Sequence, residues 1–189
     1  MRHTLTKMLF AVLMLGASGA ACAHPGHGVS GFAAGLAHPF TGLDHLLAMV
    51  AVGIWAVQGG GRRVWLLPAT FMTMLVAGAA LALQWQGLRM VEVGIAASVL
   101  ALGLLVSLSM RLPAILSVGI TALFGLLHGY AHGLELPSSA HPAAFALGFL
   151  IATAFLHGSG IALSKRYAVL AKALGVGIAA CGGYLLVAA

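Results

Sequence analysis

Charge is what this sequence has least of. Only 6% of its 189 residues are Asp, Glu, Lys or Arg, against roughly 25% in an ordinary soluble domain. So little charge cannot coat a water-soluble globule, and that class is excluded. Acids are scarcest of all: Asp44, Glu92 and Glu135 are the only three. Cysteine is nearly absent, with Cys22 and Cys181 alone. A disulfide framework and a tetrahedral thiolate metal site both need more sulfur than this. No G-x-x-x-x-G-K-[ST] segment occurs, so ATP use by this chain is not expected. Nothing reads as a soluble linker or a low-complexity tail. The nine Lys and Arg give a net charge of +6 and a pI near 10.0. They stand singly or in pairs rather than in a patch, which argues against nucleic acid.

What the chain does have is apolar length. Hydrophobic residues make up 61% of it, in recurring runs of about 20, the length that spans a bilayer as helix. An all-α polytopic membrane protein with one compact domain is expected. The N-terminus reads as a secretory signal over residues 1–23. Arg2 and Lys7 are its basic start, residues 8–15 its apolar core, and Ala21-Cys22-Ala23 its A-x-A-like cleavage site. The mature domain, residues 24–189, would then open His24-Pro25-Gly26-His27.

Six spans follow, near 38–58, 64–84, 90–110, 113–133, 142–163 and 167–188, joined by short breaks. With the signal cleaved, the breaks carrying Arg62, Arg63, Arg111, Lys165 and Arg166 fall inside, with Lys172 just beyond, and only Arg89 remains outside. That obeys the positive-inside rule and places both mature termini in the periplasm of a bacterial inner membrane. Trp65, Trp85, Tyr130, Tyr167 and Tyr184 near the span ends read as an aromatic belt. The first span is irregular: Pro39 and Gly42 interrupt it, so a broken or re-entrant segment lining a cavity is expected. Gly125, Gly129 and Gly133, four apart, suit close helix packing. A 3+3 inverted repeat is compatible with six spans but is not demonstrated by the sequence.

The polar residues are concentrated. All three acids, and His24, His27, His38, His45, His128, His132 and His141, fall toward the outer face of this topology. An ionisable group in a membrane costs at least about 2.5–3.5 kcal/mol, so convergence at one depth points to a site. Imidazole and carboxylate without thiol suit a borderline divalent ion such as Ni, Co or Zn. In "HPFTGLDHLLAM", residues 38–49, Thr41 and Asp44 also match a capping box, with Thr41 as N-cap and Asp44 at N3. Capping leaves His38 and His45 unexplained. Met49, one turn past His45, offers a thioether, though packing is its ordinary use. In "FGLLHGYAHGLE", residues 124–135, His128, His132 and Glu135 project within roughly 60° of one another on one helix face. Glu135 sits where the helix dipole disfavours an acid. His24, His27, Glu92, His141 and His157 are weaker candidates for outer capture or relay. For each a plain alternative stands: a flexible tail for His24 and His27, a dipole-favoured first turn for Glu92, a cap for His141, a structural hydrogen bond for His157.

The two motifs, His38-x5-Asp44-His45 and "LHGYAHGLE" at 127–135, resemble those of the HupE/UreJ family of nickel, sometimes cobalt, permeases. The resemblance covers essentially the whole mature chain. It implies a site of His38, Asp44, His45, His128, His132 and Glu135, and supply of metal to hydrogenase or urease maturation. The expected activity is secondary or facilitative import of Ni2+, or Co2+, as a transported ion rather than a prosthetic group. The chain is not expected to be an enzyme; an intramembrane metal-dependent hydrolase is the alternative. Its partners would be the ion and the lipid bilayer, with an oligomer left open.

Overall fold

A computed structural model describes residues 31–60, 64–88, 90–136 and 141–188. The expected signal segment, His24, His27, Arg62, Arg63 and Arg89 lie outside these residues. Among the described residues the chain is all-α. In order come α1 (Gly31–Ala37), a 3-10 turn (His38–Phe40), α2 (Leu43–Gln58), α3 (Leu66–Gln84), α4 (Val91–Ser107), α5 (Ala114–Leu134), α6 (Pro142–Arg166) and α7 (Ala168–Ala188). Four of these, α3, α5, α6 and α7, are long and apolar enough to cross a membrane; α1 with its turn and α2 make a bent pair that counts as a fifth. The chain is a multi-pass membrane protein.

The expected break in the first segment is there: α1 and its turn meet α2 at 77°. Pro39 sits in the turn, and Gly42 behind it is extended, with φ −97° and ψ 118°. Proline holds φ and gives no N–H, so the helical ladder cannot run through. The break corrects the expected capping box. Gly42, not Thr41, is the N-cap, and the Thr41 hydroxyl turns back to the His38 carbonyl. Asp44 does accept a first-turn backbone N–H, that of His45, but from the second helical position.

The expected 90–110 helix is shorter, ending at Ser107. Met90 and Ser109 flank it with φ of 62° and 49°, a left-handed region that ends a helix for a non-glycine residue. Tyr130 corrects the aromatic belt. It is buried, its hydroxyl donating to the Trp85 carbonyl and accepting from the Leu88 N–H. Trp65, Trp85, Tyr167 and Tyr184 are exposed as a belt requires.

Helices pair through glycine. A Cβ at Gly125, Gly129 or Gly133 would strike the α3 backbone at Phe71, Leu75 or Ala79, so this stripe serves the packing expected of it. The successive contacts ascend both helices together, hence α3 and α5 are parallel. In the same way α2 runs parallel to α6, while Gly103 against Ala179 and Gly175 against Ser107 make α4 and α7 antiparallel. These are the three most extensive pairings between the long helices. They are unchanged when the first three segments (α1 and α2 together, α3, α4) are exchanged for α5, α6 and α7.

The correspondence extends to atoms. Gly53 faces the His157 carbonyl, and Gly160 faces the Val50 carbonyl and Ile54 N–H. Gly129 faces the Leu75 carbonyl, and Gly78 faces the Leu126 carbonyl and Tyr130 N–H. Both pairs use the same residue spacing. The structure thus carries a two-half packing relation that sequence similarity does not display.

The bundle has two unlike ends. At one, Trp55 donates to the Met110 carbonyl, Gln58 to Val106 and Arg111 to Gln58, near the end where exposed Lys165 and Arg166 close α6. At the other lie Asp44, Glu135 and most of the described histidines.

Candidate metal site

The α1–α2 break brings His38, Asp44 and His45 against the C-terminal turns of α5, where spacing along one helix face presents His128, His132 and Glu135. Three ligand atoms form a small triangle. His38 Nε2 is 3.0 Å from His132 Nδ1 and 3.2 Å from Glu135 Oε2, and the last two are 3.4 Å apart. Four-coordinate ligands about 2.05 Å from an ion stand about 3.35 Å apart, and octahedral neighbours about 2.9 Å. The triangle therefore has the size of one face of a divalent ion's coordination shell. Among the described residues it is the one cluster of this kind.

Behind it the other imidazoles stack inward. The His45 ring centroid lies 4.1 Å from that of His132 and 5.1 Å from that of His128. Each is held through one nitrogen. His45 Nδ1 donates to Asp44 Oδ1 at 2.7 Å, and His128 Nδ1 to the Phe124 carbonyl at 2.9 Å. With Nδ1 carrying the proton, Nε2 keeps its lone pair. Among the described residues, the Nε2 atoms of His45, His128 and His132 are buried with no hydrogen-bond partner. Buried polar atoms are rarely left so, and an imidazole oriented through its other nitrogen by a carboxylate or carbonyl is the usual arrangement of a metal ligand. All six residues of the two motifs are thus brought together. Asp44 takes its place as the orienting partner of His45.

Exposure falls along the cluster, from 48% at Glu135 and 26% at His38 to 9% at His45, 4% at His132 and 0% at His128. The mouth is therefore at Glu135 and His38. Hydrogen bonds from His132 and His38 hold the Glu135 carboxyl well below the usual carboxylate range, so it stays anionic as solution turns acidic. An apolar cavity of about 260 Å3 between α3, α5 and α6 borders His132 from the side; its lack of charge makes it a poor path for an ion.

The weaker candidates separate. Glu92, in the first turn of α4, and His141, the N-cap of α6, are exposed and make no side-chain hydrogen bond or ion pair among the described residues. His157 is buried on α6. The motifs gave no sign of the aromatic walls. Phe145 and Phe149 of α6 lie 5.5 and 5.9 Å from the His38 ring, Phe149 4.3 Å from His132, and Phe71 of α3 5.4 Å from His128. Their recurrence four apart on α6 was the one available signal, and it reads as packing.

A model of the HupE / UreJ protein family matches residues 12–185. The chain belongs to the HupE/UreJ family. Protein HupE of Rhizobium leguminosarum bv. viciae is 44% identical over 173 residues, which cover 87% of this chain and 89% of that protein. No solved structure matches. The family is associated with nickel and cobalt permeases, and the multi-pass fold agrees with such a role.

Proposed function

We propose that this HupE/UreJ member is a secondary or facilitative importer of Ni2+, or of Co2+, across a bacterial inner membrane. It would supply metalloenzyme assembly such as hydrogenase or urease maturation. The observation that carries the reading is the triangle of His38 Nε2, His132 Nδ1 and Glu135 Oε2, with edges of 3.0–3.4 Å. A hydrated dication arriving at the exposed Glu135 exchanges waters for these atoms. The inward imidazoles then offer replacement ligands as it loses the rest. Asp44 and Glu135 carry two negative charges, so a site with neutral imidazoles and one dication has no net charge. That lowers the cost of taking the ion out of water. Six spans are completed by counting α4, a largely apolar helix of 17 residues that crosses with modest thinning of the bilayer. A cleaved signal and the basic loops then put the histidine end and both mature termini in the periplasm. The hydrolase alternative draws no support from either comparison.

Nickel uptake by nickel-limited cells tests the reading. Wild-type chain should raise uptake, and His45→Ala should abolish it with expression intact. Asp44→Asn, which leaves His45 in place but removes its anionic partner, should cost about 10–100-fold in metal affinity. Uptake should also fall as the external medium is acidified, because the ligand nitrogens must be unprotonated to hold the ion. Unchanged uptake in His45→Ala would show that the site is elsewhere.

A further inference from the structure

One buried imidazole remains unused. His157 lies inside the bundle on α6, fully buried. Its Nδ1 donates to the Met49 carbonyl of α2 at 2.7 Å, so the lone pair is on Nε2. That Nε2 is buried and has no hydrogen-bond partner among the described residues. The arrangement repeats that of His45 and His128: a ring fixed through Nδ1 and a bare Nε2. A strut between α6 and α2 would need only the first half of it, and leaving the second nitrogen unpaired in a low-dielectric interior costs stability.

Position makes the repetition meaningful. Along α6, Phe145, Phe149, Thr153 and His157 follow at intervals of four. Phe149 touches the His132 ring, and His157 lies eight residues further, about 12 Å deeper at 1.5 Å per residue. Phe71 links the two levels, with its ring 5.4 Å from that of His128 and 5.3 Å from that of His157. Thr153 and, two turns inward of His128 on α5, Thr121 also present buried hydroxyls without acceptors. The deeper region thus holds polar atoms that the fold itself does not satisfy.

We propose that His157 is a second metal-ligating station, reached from the outer cluster past the Phe71 ring, and that Nε2 of His157 takes the ion as it leaves His128. This rests on the transport reading above. No covalent step is involved: one imidazole ligand replaces another on the dication. A single neutral ligand holds the ion less tightly than the outer cluster does, and weak deeper binding favours onward release.

Two substitutions separate the station from the strut. His157→Asn keeps an amide N–H near the Nδ1 position, and with it the bond to Met49, but loses the imidazole Nε2. His157→Gln sets an amide near Nε2 and gives up the Met49 bond. Purified variants are assayed for Ni2+ affinity and for Ni2+ flux into liposomes carrying an internal nickel-sensitive dye. Expected is His157→Asn with wild-type melting temperature, Ni2+ affinity within about three-fold, and flux reduced at least about ten-fold; His157→Gln should also lose flux. Wild-type flux in His157→Asn overturns the proposal, as does failure of both variants to fold, which would make the ring a strut. His132→Ala run alongside tests the underlying reading. If it binds and carries Ni2+ normally, the outer site is wrong whatever His157 does.

Discussion

Alanine at His132 should weaken Ni2+ binding by at least about 100-fold, or about 2.7 kcal/mol, the largest loss of any single truncation in the cluster. The reason is its double membership. Nδ1 of His132 is one corner of the outer triangle, 3.0 Å from His38 and 3.4 Å from Glu135. The same ring packs 4.1 Å from His45 and 4.3 Å from Phe149. Removing it opens the coordination face and the contact between the outer ligands and the deeper ones. It also deprives Glu135 of the first of the two bonds that hold its carboxyl low. Calorimetric titration of Ni2+ into detergent-purified protein measures the effect. His141→Ala is the matched control, since that ring is exposed and has no hydrogen bond or ion pair among the described residues; its affinity should stay within about two-fold of wild type. Equal losses in the two variants would mean that the cluster is not the binding site.

Valine at Gly129 should be the most damaging single change to the fold. Any Cβ there meets the Leu75 carbonyl carbon and oxygen of α3, and backbone cannot rotate aside as a side chain does. Overpacking of this kind costs about 3 kcal/mol or more, and here it would also push α5, which carries three of the six site residues, away from α3. Alanine at Gly119 is the comparison on the same helix. Nothing lies within 4 Å of a Cβ there, so the change should be neutral or stabilising by up to about 1 kcal/mol through helix propensity. Thermal unfolding of the detergent-solubilised variants reads both. A Gly129→Val protein as stable as wild type would show that α3 and α5 are not this close.

How much of this was legible depends on the range of the interaction. Helix extents were: 113–133 against Ala114–Leu134 and 142–163 against Pro142–Arg166, because long apolar runs bounded by Pro, Gly and charge are local signals. The broken first segment was legible for the same reason, from Pro39 and Gly42. The capping box was misread, since the pattern T-x-x-D specifies a cap only where the chain before it is extended, and here a 3-10 turn occupies that place. Tyr130 was misassigned because nearness to a span end does not say which way a side chain faces.

For the site, both motifs announced their residues, and the i, i+4, i+7 spacing of His128, His132 and Glu135 needs no tertiary knowledge. That His38 would meet His132 and Glu135, nearly a hundred residues away, was not derivable from spacing within either helix. It follows from the α1–α2 break and from the glycine contacts that set α2 beside α6 and α5 beside α3. The bond from His157 to the Met49 carbonyl has no sequence signature at all, since backbone carbonyls are present everywhere.

The two-half packing relation bears on how an ion would be released. If the halves are inverted in the membrane, rocking one against the other exposes a central path to each side in turn. The ligands are not duplicated with the packing: every member of the outer cluster lies at one end. Under the proposed function, capture is built on one side only, as import requires.

The most direct measurement is nickel flux into liposomes containing this protein alone, with a nickel-sensitive dye inside and no other component. Expected is inward flux that saturates with external Ni2+, is lost in His132→Ala, and slows as the external medium is acidified. Tight Ni2+ binding by the wild-type protein with flux no greater than that of empty liposomes would contradict it, and would leave a metal-binding membrane protein that does not transport.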